Sequence, residues 1–72
     1  MQNEITKLKN IGCTEIEQYK LISNYGYKFR KNGFKQTLNH TLKENGTAVD
    51  YWETDNKKFD TFTEALNYIK EL

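Results

Sequence analysis

Residues 25–53 read Tyr25-Gly26-Tyr27-Lys28-Phe29-Arg30-Lys31-Asn32-Gly33-Phe34-Lys35-Gln36-Thr37-Leu38-Asn39-His40-Thr41-Leu42-Lys43-Glu44-Asn45-Gly46-Thr47-Ala48-Val49-Asp50-Tyr51-Trp52-Glu53. Two Asn-Gly pairs punctuate this stretch. A type I′ hairpin turn needs positive φ at both central residues, and Asn followed by Gly adopts it at little cost. Two such turns predict a three-stranded antiparallel meander, with strands near 25–31, 34–43 and 47–53. Counting outward from the first turn, Phe29 faces Gln36, Tyr27 faces Leu38 and Tyr25 faces His40. Counting from the second, Leu42 faces Val49, His40 faces Tyr51 and Leu38 faces Glu53. Period-two alternation then puts Tyr25, Tyr27, Phe29, Leu38, His40, Leu42, Val49 and Tyr51 on one face, the expected core face. The opposite face receives Lys28, Arg30, Lys35, Thr37, Asn39, Thr41, Lys43, Asp50 and Trp52.

The flanks read as helices. Over residues 1–24, Ile5, Leu8 and Ile11 form one helical stripe, and Gly12 follows where a helix commonly ends in the left-handed conformation. Thr14-Glu15-Ile16-Glu17 has the pattern of a capping box, so a second helix is expected over 14–24, with Ile16, Tyr19 and Ile22 as its apolar stripe. The competing reading starts a strand at Tyr19-Lys20-Leu21-Ile22, where β-branched and aromatic residues cluster. Residues 54–60 read as a polar connection. Thr61-Phe62-Thr63-Glu64 is another capping box, and Ala65, Leu66, Tyr68, Ile69 and Leu72 supply the apolar face of a helix over 62–71. The expected fold is α+β: an N-terminal helical segment, the meander, and a C-terminal helix packed on its apolar face.

A chain of 72 residues holds one domain, residues 1–72, because a second unit would have no residues left for a core of its own. Apolar residues make up 36% of it, and five Tyr, four Phe and one Trp supply much of that area. A thin, ring-rich core is the result. Cys13 is the only cysteine, so no internal disulfide forms and a reducing, cytoplasmic location is expected. No signal-peptide or membrane-spanning pattern is present, so no membrane association is expected. The sequons Asn39-His40-Thr41 and Asn45-Gly46-Thr47 are read as coincidence on that ground. One Cys and one His cannot build a structural zinc site, and the acidic residues lack calcium-loop spacing.

Net charge is +1, but the charges are segregated. No acid falls between Glu17 and Glu44, a stretch that contains Lys20, Lys28, Arg30, Lys31, Lys35 and Lys43. Glu44, Asp50, Glu53, Asp55, Asp60 and Glu64 dominate the stretch from Glu44 to Glu64. Such a charge dipole orients partners at long range without strongly attracting a polyanion.

The outer sheet face is the candidate partner-binding surface, with Trp52, Arg30, Lys28, Lys35 and Asn39 as its residues. Trp52 is expected opposite Asn39, which opposes Gly26, and an aromatic among basic and amide groups suits a desolvated interface anchor or a base-stacking platform. Arg30 and Lys35 face each other, a like-charge pair that a partner's carboxylate relieves. Two alternatives stay open: the N-terminal helices cover this face with Trp52 as their anchor, or Trp52 shields Gly26 while the lysines form an ordinary solvated face. His40, expected between Tyr25 and Tyr51, reads as a core-rim histidine bonded to a tyrosine, and Cys13 as a small buried residue. No phosphate loop, metal spacing or nucleophile triad is present, so no catalytic residue, metal or cofactor is assigned.

The join Phe59-Asp60-Thr61-Phe62-Thr63-Glu64-Ala65, after three strands, resembles that of integrase arm-type DNA-binding domains over residues 25–72. That resemblance implies a sheet that enters a nucleic-acid groove. The chain departs from it in having a single arginine, and in Asp50 and Glu53 on the third strand, which repel phosphate. The expected function is therefore a non-enzymatic protein-interaction module, an adaptor or inhibitor of a larger protein. Nucleic-acid binding through residues 20–43 is the alternative, with four to six phosphate contacts and a salt slope of about −4 to −5. Homodimerisation through an uncovered face or edge is a third expectation.

Overall fold

A computed structural model describes residues 3–72; Met1 and Gln2, the start of the expected helical segment, lie outside the described residues. In chain order the elements are α1 (Asn3–Asn10), β1 (Thr14–Lys20), β2 (Asn24–Lys31), β3 (Phe34–Glu44), β4 (Thr47–Thr54), β5 (Lys57–Phe59) and α2 (Phe62–Lys70). The strands form one antiparallel sheet in the order β1-β2-β3-β4-β5. The class is α+β, with α2 packed on the sheet, but the sheet has five strands where the sequence predicts three.

The two additional strands have different causes, a local turn at one end and pairing across the sheet at the other. At the C-terminal side, Asp55 and Asn56 take φ of 56° and 63°, and Thr54 pairs with Lys57 across them. Asp and Asn tolerate the left-handed region, so this pair closes a tight hairpin without any glycine. At the N-terminal side, residues 14–20 form β1 instead of the expected helix over 14–24. The capping-box residues are present, but Glu15 has φ of 52°, which no helix passes through. Glu15 and Ile16 together fall opposite Phe29, because Thr14 pairs with Arg30 and Glu17 with Lys28. This β-bulge lets Ile16 pack on the core while Glu15 reaches Arg30 Nε at 3.6 Å. Pairing with β2 outweighs the local capping preference.

The first Asn-Gly turn holds the predicted register throughout: Tyr25 pairs with His40, Tyr27 with Leu38 and Phe29 with Gln36. The second begins in the predicted register, with Glu44 on Thr47 and Lys43 on Ala48. It then shifts by one. Thr41 pairs with Tyr51, His40 with Trp52 and Asn39 with Glu53, so an extra β4 residue is taken up opposite Leu42. The shift exchanges Tyr51 and Trp52 between the two faces. Each ring can bury about 150–250 Å², so exchanging the Tyr51 phenol for the indole gains only the difference, at most about 2.5 kcal/mol, and leaves the tyrosine hydroxyl in solvent. An interrupted ladder position costs about 0.5–1.5 kcal/mol. The larger apolar ring inside, with the phenol hydroxyl kept in water, offsets the bulge.

The core is one layer, made of Leu8, Cys13, Tyr27, Phe29, Leu38, Trp52, Ala65 and Ile69. Leu8 of α1 and Ala65 and Ile69 of α2 belong to the same cluster, so both helices cover the same face of the sheet. Thr61 caps α2 as the sequence predicts: its Oγ1 accepts the Glu64 amide at 3.2 Å, and Glu64 Oε1 accepts the Asp60 amide at 3.1 Å. The far end of α2 is anchored to the first hairpin. The buried Lys31 donates to the Leu72 carbonyl at 3.1 Å, and Asn32 Nδ2 donates to the same oxygen at 2.6 Å.

Gly26 has no room for a side chain. A Cβ there would lie 2.2 Å from the Leu38 carbonyl oxygen and 2.7 Å from the Tyr19 hydroxyl. Replacement of Gly26 by Ala is expected to destabilise the domain by about 1–3 kcal/mol, read as a lowered urea midpoint.

Candidate functional site

The candidate surface is the sheet face that neither helix covers. From β2 and β3 it carries Lys28, Arg30, Lys35, Thr37, Asn39 and Thr41, the face on which the sequence places them. Lys28 and Lys35 are exposed, and Arg30 and Asn39 are partly so. Arg30 and Lys35 are directly opposed, as expected. Glu15 lies beside the Arg30 Nε, and the Arg30 Nη1 donates to the Gly33 carbonyl at 3.2 Å.

Trp52 is not part of this surface. The β4 bulge turns it inward, where it is 4% exposed and packs edge-on to Tyr25 and Phe62 with centroids 5.9 and 5.0 Å away. Neither alternative for this ring holds, since α1 does not cover the outer face and Trp52 does not shield Gly26. Asp50, expected outside, instead accepts a hydrogen bond from His40 Nε2 at 2.6 Å. His40 stacks flat on Trp52 at 4.0 Å with 6° between planes, and its partner is a carboxylate where the sequence suggested a tyrosine. Its Nδ1 is buried without a partner among the described residues.

Glu53 stands opposite Asn39, where the sequence predicts Trp52, and Tyr19 of β1 covers Gly26 from the other side. This tyrosine pairs with Gly26, its ring lies over that glycine, and its hydroxyl donates to Asn39 Oδ1. Asn39 Nδ2 then donates to Thr41 Oγ1 at 3.0 Å. Burial raises the Tyr19 pKa, so the hydroxyl remains a donor at neutral pH. Tyr51 pairs with Thr41 on the same face. Each ring carries a lysine, Lys28 Nζ 5.9 Å from the Tyr19 centroid and Lys58 Nζ 4.7 Å from that of Tyr51. Glu17, opposite Lys28, and Glu53, opposite Lys58, add acids to the surface. The face is thus mixed in charge, with two aromatic rings held by cross-strand contacts.

Sequence reasoning missed Tyr19, Tyr51 and Lys58, which it had placed on a helix, on the core face and in a loop. A glycine inside a strand was the available signal for Tyr19, because it calls for a large ring on the neighbouring strand to cover it. No comparable signal marked Tyr51 or Lys58.

The covered face also contains a polar cluster. Tyr25 and Tyr27 both donate to the Glu4 carboxylate of α1, beside Gln18 and Lys20 of β1. Burial first, and then the Glu4 hydrogen bond, push the Tyr27 phenol far above its ordinary range; burial and Glu4 also raise Tyr25. Burial raises the Cys13 thiol, with Lys31 opposing, which leaves it protonated and unreactive at neutral pH. Among the described residues no group of three or more His, Cys, Asp or Glu could hold a metal ion, and no helix is long and apolar enough to cross a membrane.

Two measurements check these placements. Trp52 emission is expected to be blue-shifted and only weakly quenched by iodide until the chain unfolds. A phenol whose folded pKa is raised stabilises the fold below its unfolded pKa, about 10, and loses that contribution as pH rises. Stability is therefore expected to fall from about pH 10 upward, less steeply in a Tyr27→Phe variant, as read from urea midpoints across that range.

Compared with protein-family models, curated proteins and solved structures, the chain matches none.

Proposed function

We propose that this protein is a non-enzymatic protein-interaction module whose partner docks on the outer sheet face. The observation that carries this reading is the mixed character of that face. Tyr19 and Tyr51 are held among Lys28, Arg30, Lys35 and Lys58, with Glu17 and Glu53 interleaved. Partly exposed aromatic rings with fixed neighbours lose little conformational entropy on binding, and aromatic and arginine side chains dominate interface energetics. Lys28, Arg30, Lys35 and Asn39, which lie on this face, stay in the proposed contact surface, and the tyrosines take the proposed anchor role in place of Trp52. Glu15 already lies 3.6 Å from the Arg30 Nε, so of the opposed pair Lys35 is the cation that an acidic partner side chain would match.

The interleaved acids also weigh against the nucleic-acid alternative. Glu15, Glu17 and Glu53 would each face phosphate repulsion on a polyanion. A protein partner can match cations and acids separately.

Affinity capture from a lysate of the source organism, with and without nuclease, tests the proposal. Lys28→Glu with Lys35→Glu is expected to lower the retained protein on the order of tenfold. Lys70→Glu, on the exposed side of α2, should leave it unchanged. Equal capture by the charge-reversed variant would exclude this face. Loss of capture on nuclease treatment would favour the nucleic-acid reading.

A further inference from the structure

The two Asn-Gly turns share a backbone conformation and differ in what holds them. Asn32 and Gly33 have φ of 54° and 84°, and Asn45 and Gly46 have φ of 53° and 78°. The Asn32 carboxamide donates to the Leu72 carbonyl at 2.6 Å, and its neighbour Lys31 is buried against the same end of α2. Asn45 has no such tie among the described residues. Every residue from Leu42 to Ala48 is exposed, and the Tyr51 hydroxyl bond to Glu44 at 3.2 Å leaves the Asn45 amide free.

We infer that Asn45 is a site of spontaneous deamidation and isomerisation in the folded protein, and that the contact with α2 protects Asn32. The Gly46 backbone nitrogen, after losing its proton to solvent base, attacks the Asn45 Cγ. A C–N bond forms, the C–N bond of the carboxamide breaks, and ammonia leaves, giving a five-membered succinimide. Water then adds to either ring carbonyl and opens the ring to aspartate or isoaspartate. The net reaction consumes one water and releases one ammonia, with no oxidation or reduction. Glycine after asparagine makes the step accessible because no Cβ obstructs the attacking nitrogen.

A left-handed turn does not place that nitrogen against Cγ, so the reaction requires the hairpin tip to open and the asparagine side chain to rotate. Opening costs least where few contacts are lost. At Asn45 the exposed ends of β3 and β4 separate, together with the exposed Tyr51–Glu44 bond, and no buried contact is lost. At Asn32 the Leu72 hydrogen bonds and the packing of Lys31 must be given up as well. Isoaspartate routes the chain through the side-chain methylene and so lengthens the loop, which removes the pairing of Glu44 with Thr47 and Lys43 with Ala48. The bulge and Trp52 lie further along the strands.

Incubation of the intact chain at mildly alkaline pH, followed by proteolysis and mass spectrometry, measures both sites at once. The peptide containing Asn45 is expected to gain one mass unit several-fold faster than the peptide containing Asn32. In urea-unfolded chain both rates should rise and their ratio should fall towards one. Equal rates in the folded protein, faster conversion at Asn32, or a ratio unchanged by unfolding would each overturn the inference.

Discussion

The burial of Trp52 is the constraint on which the sheet's two faces depend. One extra residue in β4 puts the indole against His40, Tyr25 and Phe62, and so joins the central strands to α2. The same step sends Tyr51 outward and brings Asp50 within reach of His40. A ladder without the bulge would leave the largest side chain of the protein in water and a tyrosine in its place inside. In a domain with so few aliphatics, the difference in apolar area between the two rings offsets the cost of an irregular ladder.

The shortage of apolar residues also explains the one-sided architecture. Leu8, Ala65 and Ile69 all join a single cluster, so α1 and α2 compete for one face and leave the other uncovered. The outer face is then stabilised by its own side chains: Tyr19 fills the space above Gly26, and a hydrogen-bond chain runs from it through Asn39 to Thr41. Aromatic cover of a strand glycine fills a surface that no helix supports. These cross-strand-held rings, combined with mixed charge, underlie the proposal of a protein-docking face.

Much of this was legible locally. Asn32-Gly33, Asn45-Gly46 and the Thr61 capping box carry their geometry within a few residues, so the first hairpin, the start of the second and α2 follow from backbone preferences alone. Lys28, Arg30, Lys35 and Asn39 fall on the outer face for the same reason, since β2 and β3 keep an unbroken alternation from their turn. Asp55-Asn56 carried the same turn chemistry less visibly, without a glycine to mark it.

The amino-acid sequence by itself determined where the chain turns, because the φ preferences of Asn, Gly and Asp act within one or two residues. Only the tertiary structure decided that residues 14–20 are a strand, that β4 slips by one residue, and which face the helices cover. Each of those outcomes compares burial among residues far apart in the chain, such as Trp52 with Tyr25 and Phe62, or Ile16 with the core beneath Phe29. Local propensity has no access to such comparisons, and it lost to them at both bulges.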